Sequence, residues 1–160
     1  MKRRLVQIVG GAMLACVASG WAVADVGYRG WGPRVGLSSG PDQFVAGAHF
    51  DLGEFAPHVR WQPSFDFGFG DDVFTLTGNL MVAYYFPVKA SVTPYAGGQV
   101  TAAYFNFDDH RGDDSDTEIS LAGVGGIETR LKGGTRFLAE IQLGFGDIPD
   151  VKLMVGWTFK

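Results

Sequence analysis

The chain is poor in the residues that most soluble enzymes rely on. Among its 160 residues there is one cysteine, Cys16, so no intrachain disulfide can form. There are three histidines, which leaves little material for a His-rich metal site or a proton relay. Charged residues make up 19%, against about 25% for an ordinary soluble domain. The 13 basic residues form no patch and are outnumbered by 17 acidic ones, which argues against nucleic acid as a partner. No low-complexity linker divides the chain. Beyond the N-terminus, no apolar run approaches the roughly 20 residues of a membrane-crossing helix. What is abundant instead is glycine, 24 residues, and aromatic side chains, 14%.

The N-terminus is a separate unit. Lys2, Arg3 and Arg4 precede an apolar stretch from Leu5 to Ala18, and Ala22-Val23-Ala24 offers the small-residue pattern of signal cleavage. Residues 1–24 are therefore expected to be a signal peptide, with Ala22 and Ala24 marking the cleavage site and residues 25–160 forming one domain. Cleavage removes Cys16 and three basic residues, leaving a net charge of −7.

The remainder alternates between apolar and polar side chains, punctuated by Gly, Pro, Asp and Asn, which suit the special backbone angles of turns. Eight strands are predicted: Gly32–Ser39, Gln43–Asp51, Pro57–Phe67, Val73–Phe86, Thr93–Phe105, Glu118–Leu131, Arg136–Phe145 and Val151–Phe159. Successive side chains of a strand point to opposite faces, so alternation of this kind makes a two-faced sheet. In the fourth strand Phe74, Leu76, Leu80, Val82 and Tyr84 share one face, and Thr75, Thr77, Asn79, Met81 and Ala83 the other. The last strand sets Leu153, Val155, Trp157 and Phe159 against Lys152, Met154, Gly156 and Thr158. Pro63 interrupts the third strand and predicts a bulge or a rim position there, because proline cannot donate to a ladder.

Alternation alone leaves open which face points outward. A soluble exterior would be rich in Lys and Glu. Here the polar face is mostly Thr, Ser, Gly, Ala, Asn and Gln, which suits a crowded interior, while Phe, Trp and Tyr gather near strand ends as in interfacial girdles. The expected fold is all-β: an eight-stranded antiparallel up-and-down transmembrane β-barrel. With the N-terminus periplasmic, the segment Asn106–Thr117 becomes an external loop and Lys132–Thr135 a periplasmic turn.

The closing Val155-Gly-Trp-Thr-Phe159, with the eight alternating segments, resembles the small OmpA-like and OmpX-like barrels of Gram-negative outer membranes across residues 25–160. In that family the C-terminal aromatics are read by the outer-membrane insertion machinery, which assigns this role to Trp157 and Phe159; Lys160, beyond the final aromatic, departs from the pattern. The resemblance implies a cell-envelope protein of the outer membrane, monomeric, in contact with lipid and lipopolysaccharide. It further implies a non-enzymatic structural or surface-interaction role. A narrow porin-like pore and a lipid A-modifying enzyme are the alternatives.

The candidate functional residues fall into two groups. His58, Arg60, Asp66, Glu128, Arg130, Glu140 and Lys152 share the polar face. An eight-stranded barrel has room only for side chains, and buried charge must be paired, so these residues are expected to form an internal salt-bridge network. Glu128, Arg130, Glu140 and Lys152, from three consecutive strands, are expected to cluster. The second group is the acidic loop with Asp108, Asp109, Asp113, Asp114 and Asp116; its spacing does not match an EF-hand, and a solvated loop without metal is expected. No cofactor is implied. Catalytic residues are not expected either. Lipid A deacylases carry His-x-Ser, but His49, His58 and His110 are followed by Phe-Asp, Val-Arg and Arg-Gly. His110 with Asp114-Ser115 superficially matches the His and Asp-Ser of the palmitoyltransferase family, though all three lie in one loop.

Overall fold

The computed structural model describes residues 25–70, 73–107, 114–145 and 151–160. Ala22 and Ala24, and Asp108, Asp109, His110 and Asp113 of the acidic segment, lie outside the described residues. Eight antiparallel strands close into a barrel in chain order: β1 Val26–Ser39, β2 Gln43–Ala56, β3 Val59–Gly70, β4 Val73–Tyr85, β5 Val92–Phe107, β6 Asp114–Arg130, β7 Arg136–Phe145 and β8 Val151–Thr158. Closure comes from β1 pairing with β8, from Arg34 opposite Gly156 to Ser39 opposite Val151. A reciprocal backbone bridge between Trp31 and Phe159 extends that seam.

Several strands outrun the apolar alternation that marks them in the sequence. β1 begins at Val26 rather than Gly32, and β6 begins at Asp114 rather than Glu118. Ladder bonds join backbone groups, so pairing continues through polar residues such as Asp116, opposite Phe105. Asp114 and Asp116 therefore belong to a strand, not to the expected loop, and only residues 108–113 connect β5 to β6. The connections at the other end include residues 86–91 and 131–135, so the expected contrast of long loops with tight turns is weak.

Pro63 sits at an irregularity. β2 and β3 pair regularly as far as His49 opposite Ser64 and resume at Glu54 opposite Arg60, with one more residue on β2 than on β3 between these pairs. The bulge falls where Pro63 has no N–H to offer, and the Trp61 indole N–H donates to the Leu52 carbonyl at 3.3 Å across the gap.

The two faces of the sheet are inverted relative to a water-soluble protein. Leu37, Phe65, Phe69, Leu80, Leu121, Ile141, Leu143 and Leu153 are exposed on the outer wall, while Arg34, Asp51, Asp66, Asn79, Gln99, Glu140 and Lys152 are buried inside.

Candidate functional site

The barrel interior carries two ion-pair clusters joined by a pair of tyrosines. The first centres on Asp66 of β3. Arg34 of β1 grips its carboxylate with both oxygens engaged, Nε to Oδ1 at 2.6 Å and Nη2 to Oδ2 at 2.5 Å. Asn79 Nδ2 donates to Oδ2 at 2.9 Å, and Lys152 Nζ lies 3.5 Å from the same oxygen. Arg34 also lies 3.9 Å from Glu140. Glu140 in turn accepts hydrogen bonds from the Tyr95 hydroxyl at 2.8 Å and Gln142 Nε2 at 2.6 Å. Neutral amides and hydroxyls continue the layer: Gln99 donates to Asn79 and Gln142, and Thr101 to Asn79. A fork of two parallel bonds is the strongest common form of ion pair, and here the neighbours satisfy the remaining lone pairs.

The second cluster lies nearer the turn at residues 57–58. Arg136 Nη1 donates to Asp51 at 2.5 Å and lies 3.3 Å from Glu128, while Arg60 lies 3.1 Å from Glu128 and 3.8 Å from Asp51. Two guanidinium groups thus share two buried carboxylates, and Arg60 Nε also lies 3.6 Å from Glu54. Arg60 also stacks over the Tyr85 ring, 4.1 Å from its centroid. Tyr85 in turn stacks on Tyr95 with centroids 4.8 Å apart. This line of contacts runs from Arg60 through both rings to Glu140. Gly126, opposite Tyr95, makes room for it: a Cβ there would meet the phenol Cζ at 2.4 Å.

These positions correct the expected network in three ways. His58 is not in the lumen: it is an exposed turn residue with φ of 63°, and its ring meets Tyr84 edge-on at 6.0 Å. The two-residue turn between β2 and β3 starts the third strand at Val59, two residues after the predicted Pro57. Arg130 is exposed at the barrel rim, beyond the reach of the buried acids. Lys152 and Glu140 do not pair; Lys152 lies opposite Gln142 and reaches across the lumen to Asp66. Arg60, Asp66, Glu128, Glu140 and Lys152 do lie inside, but in two clusters. Arg34, Asp51 and Arg136 complete them, and His49, Tyr85 and Tyr95 are buried beside them. Parity along the strand is the signal for these: Arg34 shares the face of Ser38, and Asp51 that of Gln43.

The histidines offer no visible catalytic arrangement among the described residues. His49 is 1% exposed, with Nε2 2.8 Å from the Thr158 hydroxyl and Nδ1 without a hydrogen-bond partner. The space beside Asp66, Lys152 and Thr101 is about 20 Å³, room for about one water. Trp157 is half-buried against Phe137, with centroids 5.6 Å apart, and Phe159 is exposed.

No protein-family model matches the sequence, and no curated protein matches it either. Solved structures do. Neisserial surface protein A (NspA) is similar with a TM-score of 0.66 at 14% identity, over 83% of this chain and 96% of that one. The N-terminal β-barrel domain of Pseudomonas aeruginosa OprF is similar with a TM-score of 0.62 at 12% identity, over 82% of this chain and 99% of that one. Ail, the attachment invasion locus protein of Yersinia pestis, is similar with a TM-score of 0.51 at 17% identity, over 81% and 92%. The chain has the fold of the small eight-stranded outer-membrane barrels.

Proposed function

We propose that the protein is a non-enzymatic outer-membrane barrel with a structural or surface-interaction role, exported by a cleaved signal peptide. The observation that carries this reading is the pairing of an apolar outer wall with a lumen closed by ion-pair clusters. An apolar surface of this extent calls for lipid rather than water. Guanidinium–carboxylate pairs and the Tyr85–Tyr95 stack occupy the space that a solute would need. The termini and the turns at 57–58 and 131–135 face the periplasm in this reading, Trp157 and Phe159 serve insertion, and the monomer contacts lipid and lipopolysaccharide.

Two measurements test it. The purified protein in planar bilayers is expected to give no discrete conductance steps; steps of uniform size would establish the pore. Lipid A from cells with and without the protein is expected to have identical mass spectra; a mass difference of one acyl chain would establish an enzyme. Recovery of the protein in the soluble periplasmic fraction would refute the membrane assignment.

A further inference from the structure

The mouth of the barrel at the end of the chain termini is lined by basic side chains. A cleft of about 310 Å³ is bordered by Arg29, Arg60, Arg130, Gly134, Arg136 and Lys160, with no acidic residue in its wall. The carboxylates nearby are already engaged. Asp51 and Glu128 lie buried beneath and hold Arg60 and Arg136, while Glu54 is shared between Arg60 and Arg29 and Asp25 holds Arg29. Arg130 and Lys160 have no carboxylate partner among the described residues. Gly134 leaves the rim open, since a Cβ there would meet nothing within 4 Å.

The outer wall fixes the depth of this cleft. The three tryptophans of the described residues, Trp31, Trp61 and Trp157, all belong to this end: Trp31 pairs with Phe159, Trp61 adjoins Arg60, and Trp157 packs on Phe137 next to Arg136. The opposite end of β3 and β4 carries Phe67, Phe69 and Phe74 in contact, without an indole. Tryptophan collects at the headgroup level of a bilayer, because its ring is apolar and its N–H needs a polar partner. At that depth the available anions are lipid phosphates. We infer that the cleft holds the phosphate of an anionic phospholipid in the leaflet at this end. Arg130 and Lys160 supply the uncommitted charge, and Arg60 and Arg136 form the floor. This rests on the membrane reading above.

The test uses the purified protein reconstituted in phosphatidylcholine vesicles containing a minority of brominated lipid, either phosphatidylglycerol or phosphatidylcholine. Quenching of tryptophan emission reports which lipid sits beside the belt. Brominated phosphatidylglycerol is expected to be preferred by about thirtyfold, the order two basic side chains supply near an anionic surface. Arg130→Gln with Lys160→Gln, both exposed and unpaired, should abolish the preference while the protein still inserts. Lys89→Gln, on the same end but outside the cleft wall, should keep it. Equal quenching by both lipids in the inserted parent would overturn the inference. Loss of the preference on adding inorganic phosphate at constant ionic strength would also overturn it, since the site would then take a free anion. Failure to insert into vesicles of either composition would instead overturn the membrane reading itself.

Discussion

Replacing Asp66 tests whether the lumen is as dry as its contacts imply. The carboxylate is 1% exposed and receives four donor contacts: two from Arg34, one from Asn79 and one from Lys152. In Asp66→Ala, Arg34 retains only Glu140 at 3.9 Å, and Lys152 loses the only carboxylate within ion-pair distance among the described residues. Two buried cations are left with one distant acid. Breaking a buried pair from one side costs roughly 3–5 kcal/mol, because the surviving charge stays desolvated. Both cations share the one Asp66 carboxylate, so their losses are coupled and the second does not add a full increment. The expected loss is therefore about 3–5 kcal/mol, a large share of the 5–15 kcal/mol typical of a folded domain. The quadruple variant Asp66→Leu, Arg34→Met, Lys152→Met, Glu140→Gln removes all four charges of the cluster, Glu140 included because Arg34 is its ion-pair partner, and should recover most of it, since neutral replacements of buried pairs are often tolerated. Equilibrium urea unfolding in lipid vesicles, followed by tryptophan emission, gives both numbers. A loss below about 1 kcal/mol for Asp66→Ala would match a solvent-exposed pair and refute the closed lumen.

Other positions probe other parts of the design. Tyr95→Phe removes a donor from the buried Glu140 carboxylate and should cost about 1.5–3 kcal/mol in the same unfolding assay, whereas a neutral result would mean water replaces the hydroxyl. Gly126→Val must displace the Tyr95 ring, so a loss of about 1–3 kcal/mol is expected, together with a changed near-ultraviolet circular dichroism spectrum from the separated tyrosines. Leu80→Arg, on the outer wall at the middle of β4, should cost about 2–4 kcal/mol in lipid; folding as readily as the parent would mean that Leu80 does not face the bilayer core.

The sequence by itself determined the strand count, their order and which face of each turns outward. Those properties are local. A period of two is written into every strand, as in Phe74, Leu76 and Leu80 outside against Thr75, Thr77 and Asn79 inside, and turn residues separate one strand from the next. Pro63 likewise announced its bulge, because a missing N–H is a property of one residue. The partners inside the barrel were decided only by the tertiary structure. Lys152 reaches Asp66, 86 positions away in the chain, and Arg136 reaches Asp51, 85 positions away. Such pairs depend on closure of β1 on β8 and on the register of every ladder between, and alternation does not encode register across a closed lumen. The same holds at the strand ends. His58 left the lumen because a two-residue turn took it, and Arg130 reached the rim because β6 ends there. Each has the right parity for the interior; height along the barrel axis put them elsewhere, and height is a property of the assembled sheet.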